Sequence, residues 1–330
     1  MEPKIEIGVV GLGLMGCSIT TCLLMAGHDV VAVAPIPVDM LHATKRVTDH
    51  LTRSLEEGLV KHEAPYYLQH LVVTENYDDL RKCRLVIECT LEDPAIKKVV
   101  YAKIEDSIDK DALLTSNTSA IPISILQTYT RHPHRFFGLH WAEPSHTTRF
   151  LEVICGDKSD VAKGEFLRDL SEGWGKEPTL VRKDIRGFIT NRLMYAMYRE
   201  AFYLVENGFA TVEDVDRACR NNAGYWMTLA GVFRWMDLTG VPAYYAVMKD
   251  LFPTLCNSTE VPKMIEDIVK AGGKGVANGI GFHSYGPGEA EAWEETFKDF
   301  SYEIRDLALR YPADVVKKKL EQRSADAKAS

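Results

Sequence analysis

Nowhere in the 330 residues does an apolar run approach the roughly 18–20 residues needed to span a bilayer, so no membrane partner is expected. A surplus of positive charge is also missing. Against 39 Lys and Arg stand 47 Asp and Glu, a net charge of −8, which argues against nucleic acid or an anionic lipid surface as the main partner. The seven cysteines (17, 22, 83, 89, 155, 219, 256) are odd in number, scattered and without a CxxC pair. Reduced thiols in a cytoplasm are expected from that usage, not a disulfide framework. No signal peptide is expected either, because a strand-like apolar run begins at Ile5, directly after MEPK. Internal repeats and low-complexity segments are lacking. What is present is a globular composition, 46% hydrophobic and 26% charged, in a chain whose length favours two domains.

From Ile5 to about Asp184, short apolar runs alternate with helix-like segments. The strand candidates are Ile5–Val10, Val30–Ala34, Leu71–Thr74, Leu85–Cys89, Leu113–Ser116, Phe136–His140 and Leu151–Ile154. Such alternation predicts an α/β fold, a largely parallel, doubly wound sheet with helices on both faces. After RKDIRGF the texture becomes helical. NRLMYAMYREAFYLVENG sets Leu193, Met197, Ala201, Leu204 and Val205 on one helical face and stops at Gly208. TVED, Thr211 to Asp214, reads as a capping box opening the next helix. Helical pattern continues through VPKMIEDIVKAGG and EAWEETFKDFSYEIRDLALRYP, and the charged tail KKKLEQRSADAKAS is expected to fray. A sheet domain over 1–184 and an all-helical domain over 185–330 are expected.

The first strand runs into Gly11-x-Gly13-x-x-Gly16, followed by a helix and a second strand. Gly11 permits a tight turn, Gly13 lets backbone approach a pyrophosphate, and Gly16 lets helix and strand pack closely. Leu14 and Met15 open the helix whose N-terminus faces the phosphates. This predicts a Rossmann-like dinucleotide-binding domain, with a plain tight turn as the alternative. The second strand lacks the Asp or Glu that usually accepts the adenosine ribose hydroxyl. It ends VAVAPIP, leaving Ala34 and Pro35 there, with Lys45 and Arg46 further on. NAD is the expected cofactor, and NADP is left open.

Read onward, LVIECTLEDPAIKK, TSNTSAIPI, GLHWAEP, LEVI and GFITNR stand in an order and spacing that resembles the 3-hydroxyacyl-CoA dehydrogenase family. The resemblance covers roughly residues 5–285, ending at GIGFHSY. It implies an NAD-dependent enzyme with a Rossmann-like N-terminal domain and a helical domain that binds substrate and makes a homodimer. It also implies His140 as the catalytic histidine, Glu152 as its partner, and Ser119 and Asn191 as the active-site serine and asparagine. Glu92 then lies beside the nicotinamide, with Lys97 and Asn117 on the same cofactor side. The residue types suit this chemistry in themselves. Oxidising a secondary alcohol requires a base for the hydroxyl proton, and histidine suits that task near neutral pH. A carboxylate fixes its tautomer, while a hydroxyl and an amide hold the substrate oxygen. Each residue alone has a plainer role: His140 as a satisfied strand-end histidine, Glu152 as a half-exposed strand residue, Ser119 and Asn191 as caps. Their concurrence favours catalysis. Around His132, His134, His140 and His146 no cysteine or carboxylate pattern completes a metal site, so none is expected.

The sequence departs from the family at three places. Glu143 stands where many members have asparagine, and Arg149 where related segments are apolar or proline. Both read as substrate-binding groups, as a mutual salt bridge or as solvated charges. NNAGYWMTLAGVFRWMDLTG, with Trp226, Arg234 and Trp235, replaces a GAGYPMGPF-like segment. Branches acting on small free hydroxy acids, such as carnitine and gulonate dehydrogenases, diverge there too. The expected substrate is therefore a hydroxy acid or an acyl-CoA, with Arg149 or Arg234 anchoring an anionic or polar group. Two other classes stay in view. The β-hydroxyacid dehydrogenases also open GLGxMG, but GFITNR occupies the place of their catalytic-lysine segment. A non-catalytic dinucleotide-binding sensor or scaffold is the other.

Overall fold

The computed structural model describes residues 4–329, and the chain divides into two compact units between Arg192 and Leu193. The first unit carries β1 (Glu6–Val10), β2 (Asp29–Val33), β3 (Leu71–Thr74), β4 (Leu85–Glu88), β5 (Leu113–Ser116), β6 (Phe136–Trp141), β7 (Leu151–Cys155) and β8 (Thr179–Val181). They form one sheet in the order β3-β2-β1-β4-β5-β6-β7-β8. All neighbours are parallel except β6 and β7. Parallel pairing needs crossovers, and α1 (Leu14–Met25), α2 (Pro37–Glu56), α3 (Ala64–Leu68), α4 (Pro94–Ser107), α5 (Ile123–Leu126) and α6 (Val161–Glu172) supply most of them. Between β6 and β7 no helix intervenes, so the chain folds straight back.

Alternating strand residues feed two cores. Ile7, Val9, Leu85, Ile87, Phe137 and Leu139 pack with Ile19 and Leu23 of α1, Val47 and Leu51 of α2, and Leu167 of α6. Val10, Val86, Leu114 and Phe136 pack on the other face with Val100 and Ile104 of α4 and Leu126 of α5. This is the doubly wound arrangement that the period-2 runs predict. The expected strands agree with the observed ones to within a residue at either end. The addition is β8, three residues long after Pro178 and too short to carry a period.

α7 (Thr190–Glu206) leads into the helical second unit, with α8 (Val212–Ala218), α9 (Gly224–Thr239), α10 (Val241–Leu251), α11 (Lys263–Lys270), α12 (Glu289–Arg310) and α13 (Val315–Ala329). The Thr211 hydroxyl caps α8 by accepting the Asp214 amide at 3.1 Å. α9 breaks at Gly231, where φ is 65°, and Trp226 stacks on Trp235 at 5.6 Å. None of the residues of α7 to α11 is buried. The tail expected to fray is helix instead. Its lysines, glutamate, glutamine and alanines are strong helix formers, and Lys318 pairs with Asp314 at 3.1 Å one turn away. No helix among the described residues is long and apolar enough to cross a membrane.

Candidate active site

The glycine loop joins β1 to α1 at the C-terminal edge of the sheet, where strand order reverses between β1 and β4. Gly11 has φ of 100°, and a Cβ there would stand 2.8 Å from the Cys89 carbonyl carbon. At Gly16 a Cβ would come within 1.8 Å of the Gly11 oxygen, whereas at Gly13 it would meet nothing within 4 Å. Two glycines are therefore required by packing, and the middle one faces open space at the start of α1. That is the cradle a pyrophosphate needs, so the loop fits a dinucleotide. Leu14 is 62% exposed on this edge. Arg46 is committed elsewhere, donating to the Leu12 carbonyl at 3.2 Å, and Lys45 pairs with Asp49 at 2.6 Å.

His140 and Glu152 lie directly opposite one another in the antiparallel β6–β7 pair. Cross-strand partners share a face, so residues twelve apart in sequence meet as side chains. His140 Nδ1 donates to Glu152 Oε2 at 2.8 Å with both groups buried. A carboxylate only accepts, so Nδ1 carries the proton and the neutral ring keeps its lone pair on Nε2. Glu152 Oε1 accepts the Ile189 and Thr190 amides at 3.1 and 3.0 Å. Those amides begin α7, whose N-terminal donors and dipole favour a negative charge. Burial pushes the Glu152 carboxyl up, but the His140 ring N–H and these amides outweigh it and hold it below its ordinary value. Gly187 and Phe188, with φ of 79° and 52°, make the left-handed turn that delivers the amides. Phe188 then packs 5.6 Å from the imidazole, and Phe150 meets it edge-on at 5.4 Å.

Asn191 follows Thr190 and donates through Nδ2 to the Ser119 carbonyl at 2.8 Å. The Ser119 amide donates in turn to Glu92 Oε1 at 3.0 Å, and the Ser119 side chain is exposed. Asn117 bridges strands, its Oδ1 accepting the Trp141 amide at 3.0 Å. His140 and Glu152 thus form one hydrogen-bonded set with the Ile189 and Thr190 amides, and Asn191, Ser119 and Glu92 form a second, the two joined through the backbone from Thr190 to Asn191. Lys97 stands at the end of the second. Its Nζ lies 2.9 Å from both Glu88 oxygens and 3.3 Å from Glu92 Oε2, and it is 1% exposed. It positions Glu92 from within the fold.

Glu88 is a residue that the sequence reading did not single out. It is fully buried at the end of β4 and also accepts from Thr90, Tyr101 and Ser116. A buried ion pair is tolerated only when its remaining lone pairs are satisfied, and here they are. The signal in the sequence was a glutamate closing the apolar run LVIE, with a lysine nine residues on in the following helix. Glu92 is held below its ordinary value: burial raises it, but Thr118, Lys97 and the Ala120 and Ser119 amides prevail.

The structure separates Glu143 from Arg149 and so corrects the mutual salt bridge. Arg149 pairs with Glu177 at 3.2 Å. Glu143 is half-buried, and its charge is favoured by the Ser18 hydroxyl, the Ser145 amide and the Lys176 ammonium. In the second unit Arg234 is exposed on α9.

Residues 6–185 match the family model described as 3-hydroxyacyl-CoA dehydrogenase, NAD binding domain, and residues 187–285 match that described as 3-hydroxyacyl-CoA dehydrogenase, C-terminal domain. The 5-formyl-3-hydroxy-2-methylpyridine 4-carboxylate 5-dehydrogenase of Mesorhizobium japonicum is 33% identical over 297 residues, covering 87% of this chain and 93% of that protein. A crystal structure of 5-formyl-3-hydroxy-2-methylpyridine 4-carboxylic acid 5-dehydrogenase, described as an NAD+-dependent dismutase, superimposes with a TM-score of 0.84 at 30% identity, covering 92% of this chain and 98% of the other. For (S)-3-hydroxybutyryl-CoA dehydrogenase from Ralstonia eutropha the TM-score is 0.71 at 26% identity, with 86% and 100% covered.

Proposed function

The chain belongs to the 3-hydroxyacyl-CoA dehydrogenase family and is an NAD-dependent oxidoreductase acting on CH–OH; from that premise we propose that it oxidises a compact, carboxylate-bearing substrate free of CoA, with His140 as general base. The carrying observation is the buried 2.8 Å hydrogen bond from His140 to a carboxylate whose other oxygen is held by the α7 amides. Bound NAD supplies the hydride acceptor. His140 Nε2 takes the proton from the substrate hydroxyl as the carbinol C–H electron pair departs and a carbonyl forms. Glu152 keeps Nδ1 as the donor and stabilises the imidazolium. Asn191 and the Ser119 hydroxyl would hold the substrate oxygen, and Glu92, fixed by Lys97, would hold the nicotinamide end of the cofactor together with Asn117.

The compact substrate is supported by the greater likeness to the pyridine carboxylate enzyme than to the hydroxybutyryl-CoA enzyme. Arg149 spends part of its charge on Glu177, so the exposed Arg234 is the anion anchor we favour. A hydrated formyl group also presents one carbon bearing both hydrogen and hydroxyl. The formyl carboxylate for which that relative is named favours such a group as a second substrate form. Residues 1–184 would be the dinucleotide-binding domain and 185–330 the substrate-binding and homodimer-forming domain. The cytoplasm is the compartment, in keeping with seven free thiols.

The test is NADH formation at alkaline pH with 3-hydroxyacyl-CoAs, free hydroxy acids, sugar acids and aromatic formyl carboxylates. The highest kcat/KM is expected among the free acids or formyl carboxylates. Efficient turnover of medium- or long-chain 3-hydroxyacyl-CoA would contradict the proposal.

A further inference from the structure

Dinucleotide folds of this kind read the adenosine ribose with an acid at the end of the second strand. Here β2 is followed by Ala34 and Pro35, which have no acceptor to offer. A cavity of about 390 Å³ opens at that place, lined by Ala34, Pro35, Pro37, Glu75, Asn76, Tyr77, Asp78 and Lys103. The ladder between β2 and β3 pairs Val33 with Thr74, and the Ala34 amide donates to the Thr74 carbonyl at 2.9 Å. Continued by one residue, that register sets Glu75 beside Ala34, one strand spacing (about 4.8 Å) away. A glutamate is one methylene longer than the aspartate commonly found on β2, so its reach makes up part of that displacement.

We propose that Glu75 is the acceptor for the adenosine ribose 2′-hydroxyl in this protein, and that Glu75 and Asp78 together reject a 2′-phosphate. The acid has moved from the second strand to the loop after the third. That loop is braced: the Asn76 amide donates to Thr74 Oγ1 at 3.0 Å, and Asn76 Oδ1 accepts the Asp78 amide at 3.1 Å. Pro35, Pro37 and the Tyr77 ring give one side of an otherwise polar cavity a stiff apolar wall suited to a purine. Among the described residues Lys103 is the one cation of the lining. Its ammonium lies 5.4 Å over the Tyr77 ring, and two carboxylates outweigh it. The inference rests on the reading that the glycine loop seats NAD, and its test separates the two.

Titration calorimetry on the full chain with NAD and with NADP provides that test. The wild type is expected to bind NAD at least about 30-fold more tightly than NADP. Glu75→Gln is expected to weaken NAD about 5–10-fold, below the range for a hydrogen bond to a charged group because the site is exposed and the amide oxygen still accepts. In Glu75→Gln/Asp78→Asn the preference is expected to shrink to within about threefold, with NADP gaining affinity as repulsion is removed. A purely structural role would weaken both nucleotides alike. Both residues are exposed, so the variants are expected to fold, which the thermal midpoint checks. Gly13→Val serves as the control that abolishes both affinities. If the wild type binds NAD and Gly13→Val does not, yet the double variant keeps both wild-type affinities within about twofold, the ribose inference is overturned and the glycine-loop reading stands. A wild type that prefers NADP overturns it as well, with Lys103 then the phosphate partner. If NAD fails to bind at all, both readings fall.

Discussion

At Glu143 burial works against charge. It pushes the carboxyl up to about 7, against the pull of the Ser18 hydroxyl, the Ser145 amide and the Lys176 ammonium. A carboxyl raised in the folded state is ionised at a cost once the pH passes its folded value. Relative to an uncharged side chain, Glu143 is neutral to stability below the unfolded value near 4.5. It becomes a liability as the pH rises toward and past 7, on the order of 1–3 kcal/mol at pH 8. Glu143→Gln is therefore expected to raise Tm at pH 8, by about 2–4 °C for each kcal/mol relieved, with the gain gone by about pH 4.5. Thermal melts across pH check it, and a gain that is flat with pH would show that the charge is not the cause. Three residues beyond His140, Glu143 reads from the sequence as a substrate ligand or a plain charge, and the pattern says nothing of its burial. Periodicity ends with β6 at Trp141, so nothing in the pattern told that the next residues turn toward α1.

The elements themselves were largely legible. Seven strands, the switch to helix after RKDIRGF and the Thr211 cap follow from patterning that backbone geometry enforces. Pairing was not. The runs Phe136–His140 and Leu151–Ile154 give no strand direction, and it is the absence of a helix between them that makes the pair antiparallel and sets His140 opposite Glu152. The resemblance supplied that partnership; the register supplies its physical cause. α7 adds what no single motif carried. In GFITNR, Asn191 was the residue noticed, while the backbone amides of Ile189 and Thr190 hold Glu152. Amides have no letter in a sequence, so their part in the site emerges only when the turn at Gly187 and Phe188 is seen. Glu88 escaped for a related reason, since an acid closing an apolar strand is read as its polar end until its partners Lys97, Tyr101 and Ser116 are found around it.

At the scale of the molecule, the helical unit carries its apolar face outward. Leu193 and Met197, on the face read from NRLMYAMYREAFYLVENG, are 55% and 42% exposed, and Phe233 and Tyr245 are 78% and 66%. Exposed apolar side chains of this kind are what the proposed homodimer would cover. The proposed homodimer predicts a sedimentation mass of two chains at micromolar concentration. Leu193→Glu with Met197→Glu is expected to shift it toward one, and a wild type that sediments as one chain would contradict the assembly.

The catalytic role of His140 is measured most directly by kcat and NAD affinity for His140→Ala beside the wild type. The account predicts an NAD Kd within about twofold of wild type, because the glycine loop is untouched. It also predicts kcat lower by about 10²–10⁴-fold, the usual loss for a positioned acid–base group. A folded His140→Ala protein that turns over substrate at close to the wild-type rate would contradict it.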